Sequence, residues 1–491
     1  MNVKDNKTKN IIVICLIIGL SFFWTGSGYI TWMYHMMNYH PLAKIDMYSE
    51  VTGYLFQCLG LIIFTMVVKK NKTIITKNQP FIITSFIDLF MIACAVMVPD
   101  GSLSLMFGYI MNVFHGLVAG FYLTRLVTYV SQQNRGVAFG LGYGLGSIGS
   151  YVISIFDNGN FIMSRYSLLV YLAAVLITSA LICVKRFDTD AVIENEDNEH
   201  MKKTDMSFAL DYKILLLAGL TVFMLSMAKN SGFYFSTIDM ADGISLELTR
   251  TFYALGLIIA GIVNDKNRKL GAVLCVSTLA FPFALLVLKS SLESSIVVWI
   301  LSYGFFGFFS VYRVVLFADF AGKKENLIWI AGMGLMAGRL GDAAGAYAGM
   351  KLMDNISVLV LLAALVFMFT IFLFVLLFQK IYTPIIVSAE ERKGIEDFCR
   401  SFLFSPREHD VFKLIDEGLS NTEIAEMRDQ TDRGIRKAWS ELQFYLRQLT
   451  MGVLIFRSDK DFSFTGDEQR FLDTCREEYE FKLEESADGL S

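Results

Sequence analysis

The sequence predicts an all-α protein in which a polytopic membrane bundle of about twelve transmembrane helices precedes a smaller cytoplasmic helical domain. Hydrophobic residues make up 54% of the 491 residues and charged residues only 18%, whereas soluble domains carry about 25% charge. Residues 1–379 contain 27 Lys and Arg and 23 Asp and Glu, but the much shorter segment 380–491 contains 16 and 24. The long apolar stretches, each near the roughly 20 residues that cross a bilayer, lie in the first of these segments.

Each predicted span is a mostly apolar stretch bounded by polar or charged residues. The first continues through Phe22–Trp24 without a small-residue cleavage site, so it is interpreted as an uncleaved span rather than a signal peptide. The eleventh contains six glycines, and the fifth contains five with Gly136 just before it. Glycine-rich spans at matching positions of two halves favour an internal repeat. The predicted spans are residues 11–34, 47–68, 81–99, 103–126, 137–156, 166–184, 213–239, 247–264, 271–288, 294–317, 327–350 and 355–379.

Lysine and arginine are concentrated in alternate loops, and this asymmetry sets the predicted topology. The positive-inside rule then places both termini in the cytoplasm of a multi-pass protein of the inner (cytoplasmic) membrane. The predicted organisation is a six-helix half at 1–184, an acidic cytoplasmic linker at 185–212, a second six-helix half at 213–379, a connector at 380–400, a DNA-binding domain at 401–450 and an acidic tail at 451–491.

The loop between the eighth and ninth spans carries a motif that is expected to change with conformation. It begins at Gly261 and continues through Asp265, Lys266 and Arg268. The loop resembles the pattern GxxxD(R/K)xGRR of the Major Facilitator Superfamily, although Arg268 replaces the second glycine and the loop at 69–77 lacks the pattern. This resemblance covers residues 11–379 and implies a 6+6 transporter-like fold that works by alternating access. The alternative is an ordinary basic cytoplasmic loop.

Ionisable residues inside the predicted spans are candidates for a ligand site, because a charge at bilayer depth is costly. In one interpretation, Lys229 and Arg339 bind an anionic or carboxylate-bearing small molecule in a central cavity. In the other, Arg339 pairs with Asp342 three residues along its own helix, while Lys229 extends outward to the interface. The candidate ligand-binding residues are Asp88, His115, Lys229, Arg313, Arg339 and Asp342.

The cytoplasmic segment carries the signature of a helix-turn-helix DNA-binding domain. Two capping boxes open short helices at Ser405 and Ser420, and a third helix after Thr431 has one apolar face and one basic face. The run from Ser405 to Ala425 resembles LuxR-type helix-turn-helix domains, and this resemblance places the start of the recognition helix at Thr431. The predicted DNA-facing residues are Thr431, Arg433, Arg436, Lys437, Ser440 and Arg447.

This DNA-binding domain departs from the LuxR pattern at several positions. Arg428 and Gln430 stand at core positions, and Gly434 and Ala438 replace a threonine and a histidine of the pattern. Residues 400–447 also contain eight Lys and Arg against nine Asp and Glu. Because phosphate contacts dominate affinity for DNA, we expect weak binding by a monomer and a homodimer on promoter DNA.

These patterns together predict a membrane-bound one-component transcriptional regulator. Its transporter-like bundle senses an unknown small molecule, and its LuxR-type domain binds promoter DNA. No nucleotide-binding loop, catalytic triad or metal-ligand cluster is present in the sequence, so neither enzymatic activity nor a cofactor is expected. One alternative is a secondary transporter with a regulatory tail, and another is a tail that binds a different protein.

Overall fold

Helices account for all regular secondary structure in the residues that the structure describes. The structure is a computed structural model, and it describes residues 3–156, 160–184, 212–231, 243–286, 292–323, 325–352 and 354–382. These residues belong to one compact unit. The predicted DNA-binding domain and acidic tail lie outside the described residues, as do nearly all of the predicted linker and connector.

The long helices follow the order of the predicted spans. The first six are α1 (Val3–Met36), α2 (Tyr54–Lys70), α3 (Gln79–Met97), α4 (Gly101–Tyr129), α5 (Arg135–Ile155) and α6 (Ser167–Val184). The next six are α7 (Tyr212–Asn230), α8 (Leu246–Lys266), α9 (Arg268–Leu286), α10 (Leu292–Ala321), α11 (Met333–Leu352) and α12 (Ile356–Ile381). Short helical segments connect some of them, at Leu42–Asp46, Thr73–Thr76, Gln132–Asn134 and Glu325–Ile330.

Nine helices of the described ranges are long and apolar enough to cross a membrane: α1 to α5, α7, α8, α10 and α12. The apolar part of α6 described here, Ser167–Cys183, is shorter than the others. In α11, glycines and the charged residues Arg339, Asp342 and Lys351 lower the hydropathy. Nine is fewer than the twelve predicted, but α6, α9 and α11 stand where the remaining predicted spans lie. The described chain is therefore a multi-pass helical membrane bundle.

The helices pack in two groups that meet along two seams. Within the first group, α1 packs on α4, α5 and α6, and α4 packs on α2 and α3. Within the second, α10 packs on α8 and α9, and α7 packs on α11 and α12. Between the groups, the main contacts join α5 to α8 and α2 to α11. The two seams bring residues from both halves of the chain to the middle of the bundle.

Glycine makes the α5–α8 seam close enough for backbone to touch backbone. A methyl group on Gly261 would lie 2.5 Å from the Gly136 carbonyl oxygen, and one on Gly136 would lie 2.7 Å from the Gly261 carbonyl oxygen. Farther along the seam, a methyl group on Gly140 would overlap the Leu257 carbonyl. Small residues permit such approach where lipid supplies no hydrophobic force between helices. Gly136 and Gly140 of α5 therefore belong to an interface between the halves, whereas other glycines of α5, such as Gly142, pack against α1.

The entry into α2 is irregular. A π-helical segment, Met47–Gly53, joins the short helix Leu42–Asp46 to α2 and packs against α4 and α11. Glu50 lies in this segment and is buried, with 6% of its surface exposed. Because π-helical turns are uncommon and concentrate at functional sites, this segment indicates that a functional site is to be sought at the seam between α2 and α11.

Candidate functional site

Asp342 of α11 is the centre of a charged cluster in the middle of the bundle. Lys229 of α7 places Nζ 2.8 Å from Asp342 Oδ1. The guanidinium groups of Arg313 of α10 and Arg339 of α11 each place one nitrogen 3.5 Å from Asp342 Oδ2. Three helices of the second half thus direct cations at one carboxylate. We call Lys229, Arg313, Arg339 and Asp342 the central cluster.

Close packing of α7 on α11 positions the lysine of this cluster. A methyl group on Gly341 would overlap the Phe223 carbonyl, and one on Gly345 would lie 2.5 Å from a carbonyl oxygen of α7. The absence of side chains on these glycines lets the two helices touch, which brings Lys229 against Asp342. Lys229 therefore lies inside the bundle and does not extend outward to the interface.

Neighbouring polar and small residues hold the carboxylate and one arginine in place. The Ser226 hydroxyl donates a hydrogen bond to Asp342 Oδ1, and Asn230 Nδ2 donates one to the Asp342 backbone oxygen at 2.9 Å. A methyl group on Gly338 would overlap the Arg313 guanidinium. Gly338 thus leaves the space that the Arg313 side chain occupies.

The central cluster has more positive charge and more hydrogen-bond donors than its own carboxylate can satisfy. Three cations face one aspartate, and among the described residues Arg313 Nε and one Arg313 guanidinium nitrogen are buried without a hydrogen-bond partner, as is Arg339 Nε. Asp342 Oδ2 is also unpartnered, because the two arginines approach it at 3.5 Å without hydrogen-bond geometry. The Lys229 and Arg339 side chains remain 14% and 17% exposed. The cluster therefore has donors available for an anion.

The first half of the chain supplies aromatic and acidic residues to the same place. The Arg339 guanidinium lies 4.5 Å from the centre of the Tyr54 ring of α2, in cation–π geometry. Tyr29 of α1 stacks on Tyr54, with ring centres 6.3 Å apart, and its hydroxyl lies 3.4 Å from Glu50 Oε1. Glu50 is close enough to Lys229 to interact with its charge. The site is thus built across the two halves.

Asp88 and His115, which the sequence places among the ligand candidates, form a separate cluster inside the first half. His115 Nε2 of α4 lies 3.4 Å from Asp88 Oδ1 of α3. The indole of Trp24 donates a hydrogen bond of 3.0 Å to Asp88 Oδ2. No contact joins these three residues to Asp342, although His115 lies within electrostatic range of Arg339. Four of the six candidates therefore come together, and two form a cluster of their own.

The predicted motif at the end of α8 contacts the first half of the chain. Asp265 accepts hydrogen bonds from the backbone nitrogens of Gly136 at 2.8 Å and Val137 at 2.6 Å. These nitrogens lie in the first turn of α5, where a carboxylate is favoured by the free N–H groups and the helix dipole. Arg268 places a guanidinium nitrogen 2.7 Å from Asp265 Oδ1. Gly261 lies against Gly136 at the same seam. Gly261, Asp265 and Arg268 of the motif therefore belong to one contact between α8 and α5.

A second carboxylate completes this arrangement. Asp319 of α10 lies 2.9 Å from Arg268 Nε and 3.3 Å from an Arg135 guanidinium nitrogen. Arg135 also donates hydrogen bonds to backbone oxygens of α4 and α10, and Arg268 donates one to the Gln132 backbone oxygen. We call Arg135, Arg268, Asp265 and Asp319 the seam cluster. Lys266, the remaining motif residue, is exposed and lies outside it.

Sequence reasoning missed several residues of both clusters. Glu50 is an acidic residue inside an apolar stretch, which is the signal that identified Asp88, but it lies at the start of the second span. Arg135 lies just before the predicted fifth span, where the sequence indicates only a loop cation. Asp319 lies just past the predicted end of the tenth span, so the search for charges inside spans does not reach it. The DNA-facing residues predicted at 431–447 lie outside the described residues, and the described residues contain no group of His, Cys, Asp and Glu that could hold a metal ion.

The chain is similar to the crystal structure of a Major Facilitator Superfamily transporter, FucP, in the outward conformation, at 13% identity and a TM-score of 0.49. The match covers 74% of this chain and 98% of that one. No protein-family model and no curated protein matches the chain.

Proposed function

We propose that the membrane bundle binds an anionic small molecule at the central cluster. The observation that carries the proposal is the excess of three buried cations over one carboxylate, with guanidinium donors that have no partner. Burying an uncompensated cation is unfavourable, so an anion that accepts from these donors would stabilise the cluster. We expect this ligand to be neither a metal nor a cofactor and to undergo no chemical change.

Ligand binding at this position is coupled to the relation between the two halves. Arg339 belongs to the second half and contacts Tyr54 of the first half, beside the seam between α2 and α11. The two halves can adopt more than one arrangement. If the anion binds one arrangement more tightly than another, it shifts the population of the protein toward the arrangement that it binds more tightly. The 6+6, alternating-access organisation typical of the Major Facilitator Superfamily is part of this proposal.

Thermal unfolding of the full-length chain in lipid nanodiscs tests the anion site. Carboxylates and inorganic phosphate are compared with neutral amides of the same size. Anionic ligands are expected to raise the unfolding temperature as they saturate the native state, and Arg339→Gln is expected to abolish the increase. An equal response to the amides, or an unchanged response in Arg339→Gln, would contradict the proposal. Lys266→Ala, at an exposed position, is the control.

For the whole chain we propose ligand-controlled binding of promoter DNA. The support is the LuxR-like run from Ser405 to Ala425, together with the basic face that includes Arg436 and Lys437. With both termini in the cytoplasm of a cell-membrane protein, the DNA-binding domain reaches DNA, and dimerisation supplies the phosphate contacts that one copy lacks. A change in the halves that alters pairing of two domains then alters DNA affinity.

Selection from a random duplex library by full-length protein in nanodiscs tests this function. We expect enrichment of one sequence family, and its loss in the double variant Arg436→Ala, Lys437→Ala. Enrichment should also change when a ligand identified by thermal unfolding is added. If the recovered sequences stay random, the tail serves another role, and a pull-down that captures a protein partner would identify it.

Secondary transport is the second candidate, and the position of Arg339 between the halves favours it. A transporter must expose one site alternately to each side of the membrane, and a site lined by both halves meets that condition. Uptake of a radiolabelled ligand into vesicles, lost in Arg339→Gln, would support transport. A sensor binds the same ligand without accumulating it, so binding without uptake would favour the regulator.

A further inference from the structure

Aromatic rings surround the cations of the central cluster on both sides. On one side the Tyr54 ring lies under Arg339, 4.5 Å from its guanidinium. On the other side Phe309 of α10 lies 5.0 Å from the Arg313 guanidinium and 5.8 Å from Lys229 Nζ. Phe306, one turn earlier on α10, lies 5.1 Å from Lys229 Nζ. Each of the three cations therefore contacts at least one aromatic ring.

These rings continue as a chain away from the charges. Phe306 contacts Tyr303 with ring centres 6.1 Å apart, and Tyr303 contacts Tyr253 of α8 at 5.9 Å. Tyr253 contacts Tyr143 of α5 edge to face at 6.2 Å. Tyr143 in turn stacks on Phe22 of α1. The chain crosses from the second half of the protein to the first at the α5–α8 seam.

The rings and the cations meet at Arg339, whose guanidinium lies over the Tyr54 ring. Arg339 also interacts electrostatically with Tyr143 and Tyr253, farther along the chain of rings. A ligand carboxylate at the unpartnered donors of Arg313 and Arg339 would therefore place its remaining atoms next to the Tyr54 ring. An inorganic anion would bind the cations but make no contact of its own with the aromatic rings. An aromatic ring on the ligand, in contrast, can pack edge to face or offset on tyrosine and phenylalanine.

We propose that the ligand is a planar aromatic carboxylate, an inference that rests on the anion site proposed above. Its carboxylate accepts hydrogen bonds from the donors of Arg313 and Arg339 and neutralises part of their charge. Its ring packs against Tyr54, the tyrosine in contact with Arg339. A single negative charge suits the site, because Asp342 remains bound to Lys229 and Glu50 lies nearby.

Titration calorimetry of the full-length chain in nanodiscs tests this ligand class with matched pairs of probes. Benzoate, phenylacetate and trans-cinnamate are each compared with the carboxylate in which a cyclohexyl ring replaces the aromatic ring. At least one aromatic member is expected to bind about tenfold more tightly than its saturated partner, which is the size of effect that aromatic and cation–π contacts supply. These measurements need no variant and so do not depend on whether a variant folds.

Two variants of Tyr54 test whether its ring causes the preference for aromatic over saturated carboxylates. Tyr54→Leu is expected to bring the aromatic and saturated partners to within about twofold of each other, whereas Tyr54→Phe keeps the ring and keeps the preference. Equal affinity for both members of every pair, lost in Arg339→Gln, would overturn the aromatic inference and leave the anion site standing. If no carboxylate of the panel binds, or if Arg339→Gln binds as tightly as the unaltered chain, both the inference and the anion site are wrong.

Discussion

The central cluster and the seam cluster contain similar residues but differ in how fully their charges are matched. In the seam cluster two arginines face two aspartates, and every guanidinium nitrogen of Arg268 has an acceptor. In the central cluster three cations face Asp342, and buried donors of Arg313 and Arg339 have no acceptor. Removing one partner of a buried ion pair is costly, so we expect the seam cluster to be structural, whereas the surplus charge and unpartnered donors of the central cluster agree with the ligand site proposed above.

We expect the largest effect on stability when an arginine is removed from the seam cluster. Arg268→Gln leaves Asp265 and Asp319 with fewer partners in a buried setting. Breaking a buried ion pair by removing one partner destabilises by about 3–5 kcal/mol, so we expect a large fall in the unfolding temperature in detergent. Lys266→Ala, two residues away and exposed, should unfold as the unaltered protein does. A stable Arg268→Gln variant would show that the seam cluster does not hold the halves together.

The same substitution in the unmatched cluster should behave differently. Arg339→Gln removes one of three cations around a single carboxylate, and it leaves Asp342 paired with Lys229 at 2.8 Å. The lost cation–π contact with Tyr54 is offset by removal of an uncompensated charge. We therefore expect the free energy of unfolding to stay within about 1 kcal/mol of the original, while ligand affinity falls about tenfold or more. A fall in stability as large as that of Arg268→Gln would mean that both clusters are structural.

A loss of stability smaller than that of Arg268→Gln is expected when the glycine contact beside the seam cluster is filled. Gly261→Ala places a methyl group 2.5 Å from the Gly136 carbonyl oxygen, so α5 and α8 must separate, and overpacking of this kind destabilises by about 1–3 kcal/mol. Gly219→Ala in α7 is the matched control, because a methyl group there meets no atom within 4 Å. Alanine raises helix propensity at both sites by about 1 kcal/mol, so the control should be as stable as the original or more so. Equal unfolding temperatures for the two variants would contradict the close contact.

The smallest effect that we expect is a change in how the free energy of unfolding depends on pH, caused by Lys323 near the seam cluster. Lys323 follows the end of α10, and burial lowers its pKa from 10.5 to about 8, against the opposing attraction of Asp319. In the unfolded chain the Lys323 amine has its ordinary pKa of 10.5 and stays protonated to higher pH than in the folded protein. Between pH 8 and 10.5 the unfolded state therefore binds more protons than the folded state, so the free energy of unfolding rises with pH across that range. Lys323→Gln should flatten this part of the unfolding profile. An identical profile in the variant would place the titration elsewhere.

The sequence predicted the positions of most helices because hydrophobicity marks a span without reference to its neighbours. The helix α3 lies at Gln79–Met97, against a predicted span at 81–99, and α12 lies at Ile356–Ile381, against 355–379. Exceptions occur where charge or unusual geometry enters an apolar run. In α2 the regular helix begins at Tyr54 rather than 47, because the π-helical segment precedes it.

Partners within the clusters were predictable only when they lie on one helix. Arg339 and Asp342 are three residues apart, so helical periodicity alone brings them together. Lys229 reaches the same aspartate only because glycines of α11 let α7 approach, and residues separated by more than 100 positions leave no periodic signal. The burial of Arg135 was hidden for a related reason, since its partner Asp319 belongs to the other half of the chain.

The π-helical segment before α2 contains one residue more than an α-helical segment of the same length along the helix axis would contain. If this segment changed to α geometry, the extra residue would pass into a neighbouring turn, and the two ends of the helix would rotate relative to each other by about 100°, the angle per residue of an α-helix. Glu50 lies within this segment, and Tyr54 directly follows it at the start of α2. A change of this kind would therefore turn the Tyr54 ring relative to Arg339 of α11, the guanidinium that the ring now contacts.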